Sequence, residues 1–339
     1  MELSYDDRPG DIWMNGELVP WKDAQIHVLS HAMHYASAVF EGIRAYDGRV
    51  FKLTEHNERL VAGVQSMDMK MPYSATEMDA ACQQVFKSQG FKDAYLRPII
   101  WRGSEMMGVS AQTTRINAAV AVWEWPAYFA DRMSGIRMKW AKWRRPDPRT
   151  IPCQTKAAGL YMICTLSKHD AEAEGFADAL MLDYRGYIAE ATGANIFMLL
   201  DDGKLHTPKP DCFLDGITKR TVMALAKARG YEIVQRHINP EELSSASEVF
   251  LTGTAVEVTP VREIGEYSFT PGDIFAAGAG PVQALIAADV DGDGFAEPAF
   301  LFEIDDKSEI VVWNTDTEKT GDEETKGWEF SFPVRAISS

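Results

Sequence analysis

Thr150-Ile-Pro-Cys-Gln-Thr-Lys-Ala-Ala-Gly-Leu-Tyr161 and the later Glu190-Ala-Thr-Gly-Ala-Asn-Ile-Phe197 are the stretches from which the rest of this chain is read. Lys156 sits among small residues, with Tyr161 just beyond it and Glu190 in a second Gly-punctuated apolar segment. A lysine alone carries no such meaning, because its usual place is the surface, with a snorkelling stem. An unperturbed lysine has a pKa of ~10.4 and is an ammonium at neutral pH. Packing against Ala157, Ala158 and Gly159 would disfavour that charge and free the amine. The combination suits an amine that forms a Schiff base with an aldehyde cofactor. It also supplies a carboxylate to keep that cofactor's ring nitrogen protonated.

With 339 residues the chain is long enough for a large core and two or more domains. Hydrophobic residues at 46% and charged residues at 25% place it with soluble globular proteins. No stretch approaches the roughly 20 apolar residues of a membrane helix. The acidic opening Met1-Glu-Leu-Ser-Tyr-Asp-Asp7 does not read as a signal peptide. Cys82, Cys153, Cys164 and Cys212 lack paired spacing and read as reduced thiols of a cytoplasmic protein. The net charge of −16 argues against a nucleic-acid partner. Residues Ala287 to Ser339 hold 14 acidic and 4 basic side chains, so most of that charge belongs to the tail and says little about the substrate.

Along the chain, Asn15-Gly16 reads as a hairpin turn between Asp11-Ile-Trp-Met14 and Glu17-Leu-Val-Pro-Trp21. Tyr35 to Tyr46 and Arg49 to Leu53 read as strands, and Thr54 as the cap of a helix through Leu60 and Val64. Ser74 with Glu77 forms a capping box for a second helix that Gly90 closes. Ala94 to Trp101, Ile116 to Trp125 and Ile136 to Trp143 are rich in β-formers. A proline-rich linker spans Arg144 to Pro152, and a helix is expected from about Leu160 to Glu174. Strands Ala177 to Asp183 and Asn195 to Leu200 flank Glu190. Gly216 opens a helix that stops at Gly230. Glu248 to Val261 reads as strand, small-residue turn, strand.

Six blocks in order carry a resemblance: His31 to Tyr46, Tyr95-Leu-Arg-Pro98, Lys156 to Tyr161, Glu190 to Phe197, Gly216-Ile-Thr218 and Thr252 to Val261. From about Asp11 to about Gly272 the chain resembles the branched-chain amino acid aminotransferases, class IV enzymes dependent on pyridoxal 5'-phosphate. The resemblance implies a two-domain α+β fold of the D-amino-acid-aminotransferase-like kind (fold type IV). It implies Lys156 as the catalytic amine, Glu190 at the pyridine nitrogen and Tyr161 at the phenolic oxygen. Arg59 would hold the phosphate, with the helix opening at Gly216-Ile217-Thr218 and Thr254 adding donors. Taken alone, Arg59 reads as a solvated helix arginine. Only its context His56-Asn-Glu-Arg-Leu60 raises it. For the substrate, the resemblance assigns Tyr35, Phe40, Tyr128 and one of Trp123 or Trp125 to an apolar wall. It gives Arg97 with Tyr95 to a distal carboxylate, and Thr254-Ala255 to the α-carboxylate. Arg44 reads as structural or as a subunit contact. Leu160 and Gln154-Thr155 depart from the family's usual residues beside the lysine.

The implied reaction exchanges leucine, isoleucine or valine with 2-oxoglutarate, in a homodimer or larger oligomer in which a neighbour's loop near Tyr35 closes the pocket. The same fold also serves D-amino acid and amine transamination and lyase chemistry, so fold alone does not choose. Domain limits are expected at 1–125, a strand and linker at 126–152, a cofactor-binding domain at 153–286, and an acidic tail at 287–339. In that tail Asp289, Asp291 and Asp293 have calcium-loop spacing, but Phe300 stands where an EF-hand needs glutamate. Ala299 to Ile304, Glu309 to Trp313 and Trp328 to Phe332 read as strands of a small β module. A non-catalytic calcium-binding or partner-binding protein is the remaining alternative.

Overall fold

A computed structural model describes residues 4–125 and 134–270 in full, and the backbone of 282–288, 297–304 and 307–312. Two sheets organise the molecule. The first has seven strands: β1 (Asp11–Met14), β2 (Glu17–Pro20), β3 (Ala38–Phe40), β4 (Ile43–Tyr46), β5 (Arg49–Val50), β6 (Ala94–Arg102) and β7 (Ile116–Glu124). Their order is β2-β1-β7-β6-β4-β5, with β3 also paired to β6, and every pairing is antiparallel. The β1–β2 turn has φ of 51° at Asn15 and 105° at Gly16, the left-handed pair that a tight hairpin requires.

Helices α2 (Leu53–Ser66) and α3 (Ala75–Gln89) cover this sheet, burying Leu60, Val64, Met78, Val85 and Phe86 against Val39, Leu96, Ile100 and Val120. The Ser74–Glu77 capping box and the left-handed Gly90 cap of α3 are present as expected. Thr54 does not cap α2. The helix starts at Leu53 after a left-handed Lys52, and the Thr54 hydroxyl donates to Asp79 at 2.7 Å. The stretch expected as one strand from Tyr35 to Tyr46 is instead a short helix α1 (His31–Tyr35), then β3 and β4. Ala36 at φ 54° ends the helix. Gly42 breaks the strand where any Cβ would lie 1.9 Å from the Tyr95 hydroxyl. The strand expected at Arg49 to Leu53 is only the two-residue β5, because Leu53 already belongs to α2.

The second sheet contains β8 (Ile136–Trp140), β9 (Asp178–Leu182), β10 (Ile188–Ala191), β11 (Asn195–Leu200), β12 (Leu205–Pro208), β13 (Ile233–Arg236), β14 (Ala246–Gly253), β15 (Glu257–Ile264) and β16 (Tyr267–Ser268). Its order is β10-β9-β8-β15-β14-β11-β12-β13, with β16 on β15. Strand β8 falls in the stretch expected between domains, yet it pairs in parallel with both β9 and β15, burying Ile136 and Met138. The helix expected from Leu160 is a 3₁₀ turn at Ala158–Tyr161 followed by α4 (Met162–Ala173). Helix α5 (Ile217–Ala228) opens at Gly216 as expected.

The described tail segments form an antiparallel three-stranded sheet of β17 (Val282–Ala288), β18 (Glu297–Ile304) and β19 (Lys307–Val312). Two of these strands overlap those read from sequence. Asp289, Asp291, Asp293 and the stretch Trp328 to Phe332 lie outside the described residues, as does Tyr128. Among the described residues no helix is long and apolar enough to cross a membrane.

Candidate active site

Lys156 reaches its place through the backbone of β3. The Phe40 N–H donates to the Lys156 carbonyl at 3.2 Å, and Val39 bridges Ala157 in antiparallel fashion. The 3₁₀ turn that follows brings Tyr161 back, and the Lys156 Nζ lies 2.7 Å from the Tyr161 hydroxyl. Burial lowers the lysine pKa below its ordinary value. The Glu41 carboxylate opposes this, and the Arg59 cation reinforces it. Burial also pushes the Tyr161 phenol above its ordinary range, so it remains a proton donor.

A cavity opens beside this amine. Arg59, Lys156, Tyr161, Glu190, Ile217, Thr218 and Thr254 all line it, together with Arg145, Asn195 and Thr252. The seven residues that the resemblance assigns to a cofactor therefore converge on one space. Glu190 comes from β10 and receives the Asn195 amide at 3.2 Å. Burial raises its carboxyl to about 7, against the pull of Arg145 and Lys156. On the α5 side, Gly216 donates its N–H to the Asn195 Oδ1 at 3.1 Å. The free N–H groups of the following turn and the positive end of the helix dipole favour an anion there. Arg59 reaches across from α2, with Nη1 at 3.4 Å from the Asp215 carbonyl oxygen.

The residues assigned to substrate extend from Phe40. Its ring lies 4.8 Å from that of Tyr161, 4.7 Å from the Arg97 guanidinium carbon and 5.0 Å from the Lys156 Nζ. Arg97 Nη2 donates to the Tyr95 hydroxyl at 3.2 Å, and its Nε is buried without a partner. Tyr95 continues into an aromatic cluster with Trp21 and Trp123, against which Trp125 and Ala255 pack. Arg44 crosses to the Glu257 carboxylate at 3.6 Å, linking β4 to the second sheet beside the Thr254-Ala255 turn. Tyr35 stands apart from the cavity lining. It is 44% exposed, stacks on His31, and donates to the Met107 carbonyl at 3.2 Å.

Among the departures, Leu160 packs with Cys153, Ala157, Ala189, Cys212 and Phe213, and is not part of the cavity lining. Thr155 does line it, whereas Gln154 is exposed and donates to the Pro210 carbonyl at 3.1 Å. Arg145 was read as part of a linker, yet it is buried with its Nε 3.3 Å from Glu190. No local signal marks it, because its partner arrives from another strand. Glu41 and Thr252 were quoted within motifs without a role.

The cavity suits a ring with an anionic arm. It joins a buried amine, a carboxyl, a phenol, a helix N-terminus with an arginine, and the Thr252 Oγ1, which is buried without a hydrogen-bond partner. The profile of the amino-transferase class IV family matches residues 38–264, and the chain belongs to that family. Within it, the chain falls with the branched-chain-amino-acid aminotransferases. It is 42% identical over 254 residues to a probable branched-chain-amino-acid aminotransferase of Rickettsia felis, covering 75% of this chain and 86% of that one. A branched-chain aminotransferase of Thermoproteus uzoniensis solved with norvaline superposes with a TM-score of 0.76 at 33% identity, covering 79% and 91% of the two chains. A branched-chain amino acid aminotransferase from Escherichia coli gives 0.75 at 35% identity, covering 80% and 92%.

Proposed function

We propose that this chain transfers amino groups from branched-chain L-amino acids to 2-oxoglutarate with pyridoxal 5'-phosphate as cofactor. The observation that carries the reading is the Lys156–Tyr161 contact of 2.7 Å inside a cavity that also holds Glu190 and the opening of α5. Structures related to this chain contain the cofactor in its pyridoxamine 5'-phosphate form or joined to glutamate. When bound, pyridoxal 5'-phosphate supplies an aldehyde carbon for the amino group and a ring that takes up electrons from the broken bond.

The protein's part is to place and move protons. Burial weakens the Lys156 amine's hold on its proton, and with the cofactor bound this amine would carry the proton between the substrate α-carbon and the cofactor's C4′. Tyr161 donates to the phenolic oxygen. Glu190 would face the pyridine nitrogen and hold a proton there. Ile217, Thr218 and Thr254 bind the phosphate with Arg59. Phe40 and the Trp123–Trp125 region exclude water from the side chain. Arg97 and Tyr95 receive the distal carboxylate of glutamate, and Thr254-Ala255 its α-carboxylate.

A cytoplasmic homo-oligomer is part of this reading. Val28, Leu29, Met33 and Tyr35, on α1 and the loop before it, and Val109, on the β6–β7 connection that Tyr35 touches at Met107, are exposed apolar groups, a surface suited to a second copy. The domain limits proposed above go with it. The test is a half-reaction: holoprotein mixed with L-leucine alone should lose its visible band and release one equivalent of 4-methyl-2-oxopentanoate. Turnover of D-alanine with none of L-leucine would overturn the proposal.

A further inference from the structure

Glu41 lies in the quoted block Val39-Phe-Glu-Gly-Ile-Arg44 and has no part in the chemistry derived above. It is a fully buried carboxylate, and a buried charge persists only where partners compensate it. Arg59 supplies two of them, with Nε at 2.6 Å from Oε1 and Nη2 at 2.9 Å from Oε2. His56, itself 1% exposed and one helical turn before Arg59 on α2, places Nδ1 at 2.7 Å from Oε2. The Gly42 N–H adds a contact at 3.2 Å. Burial alone would raise this carboxyl, but Arg59 and His56 outweigh it and hold it well below the usual carboxylate range.

The backbone around Glu41 is equally tied. Its N–H donates to the Pro98 carbonyl at 2.8 Å, next to Arg97, and the preceding Phe40 N–H holds the Lys156 carbonyl. One short segment thus fixes the amine, the strand that carries Arg97, and the guanidinium of Arg59. With Nε and Nη2 engaged by Glu41, the guanidinium plane is set, and its Nη1 edge is turned toward the Asp215 carbonyl before α5. A long arginine side chain with no such anchor would lose rotamer freedom each time it bound an anion.

We infer that Glu41 is the positioning residue for the phosphate arginine: with His56 behind it, it pre-orients Arg59 across the cleft so that the phosphate arm of the ligand meets a fixed donor edge. The inference rests on the functional reading above. It gives Glu41 a selective effect, since its removal weakens ligands through their phosphate and leaves their ring contacts alone. Charge loss at Glu41 frees Arg59 to sample other rotamers. It also removes the bidentate lock that a simple packing residue would not supply.

The experiment measures the affinity of cofactor-free protein for pyridoxamine 5'-phosphate and for pyridoxamine, neither of which reacts with Lys156. Glu41→Gln should weaken the phosphorylated ligand tenfold or more and pyridoxamine less than twofold. Equal weakening of both, or no weakening, overturns the inference. Arg59→Met/Glu41→Gln removes both members of the buried pair and keeps the test open if the single variant folds poorly. It should bind pyridoxamine 5'-phosphate no worse than Arg59→Met. A further tenfold loss in the double variant would show that Glu41 acts by another route. A wild-type protein that binds no pyridoxamine 5'-phosphate would sink the functional reading and this inference together. Wild-type binding that Glu41→Gln leaves intact would sink this inference alone.

Discussion

Arg59–Glu41 and Arg145–Glu190 each join an arginine to a buried carboxyl, and both arginines line the same cavity, yet the carboxyls are driven in opposite directions. Glu41 accepts two guanidinium N–H bonds and lies against an imidazole, so it stays ionised. Glu190 meets one Nε at 3.3 Å without hydrogen-bond geometry, and its carboxyl rises to about 7. Burial costs both groups. The number and alignment of donors decide whether the cost is covered. The first pair is a fixed charge suited to holding an anion. The second is left able to exchange a proton near neutral pH.

Lys156 is within electrostatic reach of both carboxyls, and its removal should have the largest effect. Lys156→Ala is expected to lower the leucine half-reaction by roughly 10⁴-fold, because the proton carrier is gone. Rapid-mixing absorbance would measure it. A loss of only a few-fold would mean that neither pair serves a reacting centre. Glu190→Gln should come next, with roughly 10²–10³-fold lost in rate. Its affinity for pyridoxamine 5'-phosphate should change by a few-fold at most. That split would sharpen the contrast, since the Glu41 side governs affinity. A Glu190→Gln variant that loses affinity but keeps its rate would break it.

The Glu41 pair also predicts an acid limb. A carboxyl depressed in the folded state contributes stability above its unfolded pKa of ~4.3 and loses it as pH falls toward the depressed value. Unfolding free energies from urea titrations should therefore fall between pH 5 and pH 3 in the wild type, by on the order of 2 kcal/mol from this group. Glu41→Gln, less stable at pH 5, should show a correspondingly flatter decline. Equal declines in both proteins would remove Glu41 from the class of locked charges.

The residues that line the cavity beside Lys156 could be named in advance because the resemblance is carried by short punctuated blocks. Small residues around Lys156, the Gly216 helix start and the Thr-Gly-Thr turn each mark themselves locally. Capping also read true where the signal was local, as at Ser74 and Glu77. It failed at Thr54, whose hydroxyl is drawn off to Asp79 on the neighbouring helix. The carboxylate partners were illegible for the same reason. Arg145 fell in a stretch read as linker, and only the parallel bridge from Arg145 to Asp183 beside β9 carries it inward to Glu190. Glu41 and Arg59 come from a loop and a helix 18 positions apart, a pairing that no periodicity announces. Strand β8 was legible as a strand, but its parallel pairing with β9 and β15 was not, because apolar alternation shows burial and not the identity of its neighbours.

Arg145→Met tests the contrast at its weaker pair. Burial raises the Glu190 carboxyl, while Arg145 and Lys156 pull it back to about 7. Taking away the arginine removes part of that pull, so the midpoint must move upward. A carboxyl raised in the folded state favours folding below its unfolded pKa and works against it as pH climbs to the folded value. In the variant that unfavourable window extends to higher pH. The infrared carboxyl band of cofactor-free protein, isolated as the difference from Glu190→Gln, reports the midpoint directly. The wild type should titrate near 7, and Arg145→Met higher. The shift should be smaller than the one locking Glu41, because a single off-line contact at 3.3 Å is being lost in place of a bidentate one. An unchanged midpoint would mean that burial alone sets Glu190, and Arg145 would then serve the Cys164 Sγ it also reaches at 3.3 Å.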